Sequence, residues 1–599
     1  MKKINIIIVA LVLIFTGSCK KDFLDTQIQQ NFDEELFLKS GFDNLKAFGM
    51  GVYNYLPQLS NYGGNSLLAA ACDEADYAKP GNIQRFNTGA WGPFSNPDNA
   101  FSDYYKAIRH ANLFLEKTVN YKDLIVQDTI TNKASYIINL DDFSKLRAEV
   151  KFLRAYYYFE LIKRYGDVPL ITNVINEEEA RTIPRSTFND CIEFIVKECD
   201  EAYPILTNHY INYGIPSGGK VGGGDLGTDA NRLGRIEKPA ALALKLRALL
   251  YAASPLQNPT GDLSKWERAA AAGQAIFSDP NSAHVRFLNG NYKDLFQSQN
   301  TTNNLTPRKG ANSGIIMTRP YNRASSGFEN ANYPVGMANG GQGATCPSQN
   351  LVDAFEMKTT GLPIDAPGSG YDPTNPYLNR DPRLSFIVVV NGSTIGLENS
   401  IARTVQSFVG GVDGIGSKFG ATTTGYYLRK FSVENFDLTK SPAKPKSWIL
   451  MRYAEVLLNY AEAINEAFGP DVKPTLNGVV ATYSAREAVN LIRARATMPA
   501  IATGLTKDQM RTKIQNERRV ELAFEEHRFF DVRRWKIADI TEKADLLGIM
   551  VNKDVSGNLS YQKFVVESRT FSPKMYLYPI PNDEIAKSNG LITQNPMWY

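Results

Sequence analysis

The chain has 599 residues, of which 43% are apolar, so it can build a large core and its length permits several domains. A formal net charge of only +4 provides no basic field, which argues against nucleic acid as a partner. The 5 cysteines and 4 histidines are too few and too scattered for a disulfide framework or a metal-ligand spacing, so we expect no cofactor and no metal.

The N-terminus has the layout of a bacterial lipoprotein signal. Lys2 and Lys3 precede an apolar run over residues 6–15, and three small residues then lead to Cys19. The apolar run is shorter than the roughly 20 residues that a membrane-spanning helix needs, so it is typical of a cleaved export segment. We therefore expect residues 1–18 to be a signal peptide and Cys19 to carry the lipid that anchors the protein to a membrane.

Helical periodicity dominates residues 33–277. In the segment 142–165, apolar residues recur at steps of three and four, and Gly166 and Pro169 stop the helix. The same reasoning predicts helices at about 187–203, 238–253, 264–277, 447–467, 484–495 and 508–535. The alternation predicts a mainly α fold, a tetratricopeptide-like scaffold of helix pairs.

Between residues 282 and 446 the composition shifts to Gly, Asn, Ser, Thr and Pro without a sustained helical period. We predict a loop-rich region with short strands, and ligand binding belongs there because loops on a rigid scaffold usually carry it. The predicted organisation is thus a helical region over 19–281, a ligand-binding region over 282–446, and helices with a tail over 447–599.

Several segments, in this order along the chain, resemble the SusD/RagB family. They are LRAEVKFLRAYYYFELIKRY at 146–165 with GDVP after it, PSQNLVDAFEMKTTG at 347–361, NRDPRL at 379–384, GYYLRKF at 425–431, ILMRYAEVLLNYAEAINE at 449–466, ERRVELAFEEHRFFDVRRW at 517–535, and the tail motifs YPIP at 578–581 and QNP at 594–596. The start of the mature chain, CKKDFLD at 19–25, is also similar to the family's.

The resemblance implies a lipid-anchored protein on the outer face of an outer membrane. It implies that the protein binds a glycan and delivers it to a SusC-like TonB-dependent transporter, without catalysis, on a tetratricopeptide-like scaffold. Two alternatives stay open: a peptide receptor of the RagB type, and a glycoside hydrolase, for which Asp73 and Asp76 would be the first pair of acids to consider.

Glycan sites combine aromatic faces with planar polar groups, and two segments contain that mixture. In the turn-rich stretch 73–105, which we expect near the surface, the candidates are Asp73, Asp76, Arg85, Trp91 and Asn99. Alternatively, Trp91 packs over a helix end and Arg85 pairs with Asp76. In the loop 319–333 the candidates are Tyr321, Asn322, Arg323 and Phe328, which alternatively pin the loop to the scaffold.

Two other patterns have simpler explanations. The segment 517–535 holds carboxylates and arginines in equal number, which indicates structural ion pairs with lowered carboxylate pKa values and not a general acid. The segment GIPSGGKV at 214–221 lacks the Ser or Thr that ends a phosphate-binding loop, so we expect a flexible surface loop.

Overall fold

The structure is a computed structural model that describes residues 41–60, 62, 65–124, 129–208, 234–290, 295–296, 314–338, 340–440 and 444–598. For residues 320–325 and 444–447 only the backbone is described. The expected signal peptide, Cys19 and the segment 214–221 lie outside the described residues.

The described helices fall into two groups along the chain. The first comprises α1 (Phe42–Met50), α2 (Arg85–Thr88), α3 (Phe101–Lys117), α4 (Tyr121–Leu124), α5 (Lys133–Tyr165), α6 (Glu177–Ala180), α7 (Phe188–Ala202), α8 (Lys238–Ala253) and α9 (Leu263–Ser278). The second comprises α10 (Gly327–Asn332), α11 (Gln349–Ala354), α12 (Arg383–Ile387), α13 (Tyr453–Phe468), α14 (Ala485–Arg495), α15 (Lys507–Glu521), α16 (His527–Arg534), α17 (Ala538–Thr541) and α18 (Asn582–Lys587).

The longer helices stack on their neighbours in chain order. Helix α3 packs on α5, α5 on α7, α7 on α8, α8 on α9 and α9 on α13, which in turn contacts α14 and α15. Several begin with a side-chain cap: the Thr187 hydroxyl accepts from the Asp190 N–H at the start of α7, and Ser484 does the same for α14. The predicted tetratricopeptide-like scaffold of helix pairs is confirmed.

Helix α5 is the central helix of the first group. Its 33 residues begin nine positions before the predicted start, and most side chains from Leu146 onward are buried on every side. It ends at Gly166, whose φ of 71° favours glycine and whose N–H donates to the Ile162 carbonyl.

Two predicted helices are wrong in part. The helix predicted from 447 begins only at Tyr453, because residues 444–452 form a strand that pairs with Ile315–Ser325. The helix predicted over 508–535 is broken between α15 and α16, where Phe524 and Glu526 adopt positive φ values of 64° and 63°. Long-range contacts hold this break, since Lys430 Nζ donates to the Ala523 carbonyl.

The strands pair in two-stranded antiparallel sheets, as expected for a loop-rich region with short strands. They are β1 (Ala75–Tyr77) with β3 (Thr345–Pro347), β2 (Ile315–Ser325) with β8 (Lys444–Arg452), β4 (Val388–Val389) with β7 (Tyr427–Leu428), β5 (Thr394–Glu398) with β6 (Ile401–Thr404), β9 (Thr475–Leu476) with β10 (Val479–Val480), and β11 (Leu546–Lys553) with β12 (Leu559–Glu567). Pair β1–β3 joins the 73–105 stretch to the loop-rich region. The three region boundaries stay predictions.

Buried ion pairs connect the C-terminal helices. Along α13, Glu455 binds Arg247 at 2.5 Å and Glu462 binds Arg534 at 2.5 Å. Within 517–535, Glu521 accepts from Arg452 at 2.7 Å. These acids have the structural pairing that the sequence predicts, although most partners come from other elements and not from the same helix. Glu526 departs from the prediction, because burial raises its pKa to about 8.

Candidate functional site

Asp73 lies in the core and not at the surface, so the expected exposure is wrong. Its two carboxylate oxygens accept from Arg528 at 2.8 Å each, and Arg519 lies 2.8 Å away. Burial alone would raise the pKa of Asp73, but the two guanidinium groups outweigh it and hold that pKa well below its usual range. A carboxylate in this setting ties α15 and α16 to the 73–105 stretch and is a poor proton donor.

Asp76 is also buried, in β1, and serves as a link between loops. Its Oδ2 accepts from the Thr423 hydroxyl at 2.7 Å, and its Oδ1 accepts from Gln84 Nε2 at 3.3 Å. The alternative pairing with Arg85 is wrong, because Arg85 donates instead to the Ala90 carbonyl at 2.6 Å and to the Ser95 hydroxyl. Asp76 therefore fastens the segment around residue 423 beneath the 75–85 turn.

Trp91 packs inside the protein, in a cluster of aromatic rings. Only 6% of it is exposed, and its ring lies 4.8 Å from those of Phe86 and Trp598 and 5.4 Å from that of Tyr578. The expectation that Trp91 lies near the surface is wrong, since these rings exclude solvent from its faces. Its role here is to support the loop above it.

The exposed ring of that loop is Phe94, which the sequence reasoning missed. It lies in a turn closed by mutual backbone hydrogen bonds between Gly92 and Ser95, and 81% of it is exposed. Asn99 is exposed a few residues on, and Arg85, half-buried, bonds to Ser95 in the same turn. The Gly-Pro and Asn-Pro dipeptides around Phe94 were the available signal, because turns of that kind expose the residue at their tip.

The second predicted segment is largely a strand. Tyr321, Asn322 and Arg323 lie on β2, with Tyr321 opposite Lys446, and only their backbone is described, so their ligand contacts stay predictions. Phe328 is buried, with its ring 5.6 Å from that of Trp448. The expected exposure of Phe328 is wrong, and its packing matches the alternative in which aromatic residues pin this segment to the scaffold.

A second exposed surface comes from residues 405–424, called the platform loop below. The loop is anchored by Asp413, whose carboxylate accepts from Arg403 Nη2 at 2.7 Å and from the N–H groups of Gly336 at 2.8 Å and Gln406 at 2.9 Å. The Tyr427 hydroxyl donates to the Asp413 carbonyl at 2.7 Å. Because Asp413 is fully buried, these contacts fix the loop without secondary structure.

Phe419 projects from the platform loop with 82% of its surface exposed. Lys79 Nζ lies 5.6 Å from the ring centroid and donates to Gln342 Oε1 at 2.6 Å. Gly420, with φ 81°, allows this approach, since a Cβ there would lie 2.7 Å from Lys79 Cε. The result is an exposed ring beside an ammonium and an amide, which we call the Phe419 site. No periodic pattern marks it in the sequence.

Two larger grooves lie in the helical scaffold. One of about 500 Å³ is lined by Trp266, Trp535, Glu466 and Arg511, and one of about 590 Å³ lies between α7, α8 and α9. Several of their charged groups are already engaged: Arg511 binds Glu466 in a bidentate pair at 2.5 and 2.7 Å. Both tryptophans are buried, so these grooves offer fewer free polar groups and no open ring face.

Within the described ranges, no group of three or more potential metal ligands comes together, and no helix is long and apolar enough to cross a membrane. The exposed rings and free polar groups on loops, carried by a rigid helical scaffold, define a ligand-binding protein of the helix-pair class. Planar rings with adjacent amide and ammonium groups are suited to holding ring-shaped polar molecules.

Comparison with known proteins agrees with this class. Residues 298–598 match the model of the SusD family, and residues 22–216 match a model described as "Starch-binding associating with outer membrane". The chain belongs to the SusD family.

Individual relatives resemble the chain over nearly its whole length. SusD-like protein P25 of Formosa agariphila is 24% identical, with 97% of each chain covered. A crystal structure of a SusD-like protein from Bacteroides fragilis is 28% identical, covers 94% of this chain and 98% of its own, and has a TM-score of 0.71. A structure described as a laminarin-binding SusD-like protein shares the fold, with 20% identity, 93% and 99% coverage and a TM-score of 0.59.

Proposed function

We propose that this protein binds a glycan at the cell surface and delivers it to a SusC-like TonB-dependent transporter. The observation that carries the proposal is the Phe419 site, where an open ring face lies beside an amide and an ammonium on an anchored loop. A pyranose presents apolar C–H groups on one face and hydroxyls at its rim, so this pairing of groups matches its chemistry. The laminarin-binding neighbour supports the same ligand class.

Phe94 provides a second ring for the same ligand. The two loops are connected by Asp76, which accepts from Thr423 of the platform loop and from Gln84 next to Arg85. Arg85 in turn bonds to Ser95, beside Phe94. Arg85 and Asn99 offer hydrogen-bond donors around Phe94, and they stay in the proposed site for that reason.

The test is a screen against immobilised plant, algal, microbial and host polysaccharides, followed by titration calorimetry with the ligand found. Phe419→Ala and Phe94→Ala are each expected to weaken binding roughly tenfold, the loss of one stacking contact. Phe287→Ala is the matched control, because Phe287 is also partly exposed but lies outside both loops. Unchanged affinity in both loop variants would remove these residues from the site.

The membrane and transporter parts of the proposal depend on the N-terminus. We propose that Cys19 carries the lipid and holds the protein at the outer face of the outer membrane. Cys19→Ser should abolish labelling by a palmitate analogue and release the protein from the membrane fraction. Affinity purification of the wild-type protein from outer membranes should recover a large barrel protein, and recovery of the lipoprotein alone would contradict the transporter role.

A peptide receptor is the second candidate, favoured by the outer edge of β12, on which no strand pairs within the described residues. The Ile549 N–H donates to the Thr424 carbonyl, and the Val551 carbonyl accepts from the Val409 N–H. The backbone N–H and C=O groups of these two β11 residues therefore point away from β12. Their partners Lys563 and Tyr561 therefore direct their backbone groups to the outer edge, where a peptide strand can pair. Peptides titrated alongside glycans distinguish the two, because backbone pairing at β12 does not need Phe419.

A further inference from the structure

The platform loop carries two aromatic rings, and each has a lysine against it. Lys79 lies 5.6 Å from the Phe419 ring, and Lys553 lies 5.0 Å from the Phe408 ring. Lys418, next to Phe419, is exposed as well. An aromatic ring attracts an ammonium through its quadrupole but leaves its full charge in place. None of these lysines has a carboxylate within ion-pair distance in the part of the chain that the structure describes.

Some partly or fully exposed cations elsewhere in the described chain have carboxylate partners. Lys245 binds Asp200 at 2.7 Å, Lys473 binds Glu487 at 2.8 Å, and Arg486 binds Asp471 at 2.5 Å. The platform loop differs because its own acid, Asp413, is buried against Arg403. The positive charge at the loop surface is therefore not neutralised locally.

The other acid near the Phe419 site is also engaged. Asp76 is buried and accepts from Gln84 and Thr423. Lys79 Nζ donates one of its three N–H groups to Gln342 Oε1 at 2.6 Å. This hydrogen bond orients the ammonium beside the Phe419 ring and leaves two donors for a ligand. An anionic oxygen next to a sugar ring stacked on Phe419 would occupy that position.

We propose that the ligand of this loop is an acidic glycan, one whose sugars carry carboxylate or sulfate groups. The inference rests on the proposed glycan-binding function and assigns its substrate class. Lys79 and Lys418 bind the acidic group of a sugar stacked on Phe419. Lys553 binds a further acidic group of the same glycan where the glycan passes Phe408. Two separate cation and ring pairs along one loop suit a polymer with repeated charges.

The test uses polysaccharides that differ only in charge: polygalacturonate against its methyl ester, and κ-carrageenan against its chemically desulfated form. Titrations at 50 and 200 mM salt are expected to show one acidic member binding at least tenfold more tightly than its neutral counterpart, with affinity falling as salt rises. The carboxylate and sulfate pairs identify which acidic group is recognised.

The double variant K79Q/K418Q should weaken binding of the acidic polymer at least tenfold and flatten its salt dependence, since charged hydrogen bonds are lost. Lys473→Gln, a lysine paired with Glu487 on the scaffold, is the control and should leave the affinity unchanged. Equal binding of neutral and acidic polymers would overturn the acidic ligand but keep glycan binding. Acidic binding unaffected by K79Q/K418Q would overturn the site, and no binding to any polysaccharide in the broad screen would overturn the proposed function itself.

Discussion

Replacing Asp413 by alanine should loosen the platform loop without unfolding the scaffold. The change removes the carboxylate that binds Arg403 at 2.7 Å and two backbone N–H groups at 2.8 and 2.9 Å. Breaking a buried ion pair by deleting one partner costs about 3–5 kcal/mol, because the other charge is left uncompensated. When the loop opens, water can solvate Arg403 and the two N–H groups. In the Asp413→Ala variant, the free energy of opening the loop should therefore fall by a similar amount.

Native-state hydrogen exchange measures this change directly. A loss of about 4 kcal/mol raises the opening equilibrium about a thousandfold, so amides of residues 405–424 should lose most of their protection. Amides of α5 should exchange as in the wild type, and glycan affinity should fall because Phe419 is no longer held in place. Asp372→Ala is the control, since Asp372 is an exposed acid whose hydrogen bonds to described residues all lie within its own turn. Unchanged exchange in the platform loop would refute the anchoring role of Asp413.

Four further substitutions test the core and the exposed turn above it. Trp91→Ala should cost about 3–5 kcal/mol in urea unfolding, because it leaves a large cavity, whereas Phe94→Ala should change stability by less than about 0.5 kcal/mol. Arg452→Met should cost about 3–5 kcal/mol, since it leaves Glu521 buried with one arginine fewer. Burial, aided by Asp73, raises the pKa of Glu74 to about 8, so stability falls as pH rises from about 4.5 to 8, and Glu74→Gln should remove that decline when unfolding is followed across this range.

Each of these predictions has a result that would contradict it. Equal losses for Trp91→Ala and Phe94→Ala would mean that the ring cluster does not support the loop. If Arg452→Met were as stable as the wild type, the other arginines would satisfy Glu521 without Arg452. For Glu74→Gln, the stability gap between variant and wild type must move in favour of the variant as pH rises, so a gap independent of pH would refute the raised pKa.

Much of the scaffold could be predicted because its information is local. Helix α5 is predicted by apolar residues at steps of three and four and by Gly166 at its end. Capping residues such as Thr187 mark the starts of helices. The sequence predicts a helix over the second part of strand β8, because this apolar run is ambiguous alone and its partner β2 lies more than a hundred residues earlier. Periodicity does not report such pairing.

The candidate site was harder to predict, since exposure depends on tertiary packing. Trp91 and Phe94 lie in one turn-rich stretch, and only the rings contributed by Tyr578 and Trp598 decide that the first is covered. The sequence alone suggests that Asp73 is a surface acid, and only its contacts with Arg519 of α15 and Arg528 of α16 show that it is buried. The sequence predicts the loops and short strands after residue 282, and their link to 73–105 comes from the pairing of β1 with β3. The place of the ligand stays a prediction.

The packing of Trp598 against Trp91 has a practical consequence. The Trp598 indole N–H donates to the Leu577 carbonyl at 3.0 Å. Its ring covers Trp91, which lies beneath the Phe94 turn. Removing the residues around Trp598, or placing a bulky reporter close to them, would disturb the Phe94 turn from the inside and mimic a defect in recognition. Affinity measurements on such fusions would then report on the tag as much as on the ligand.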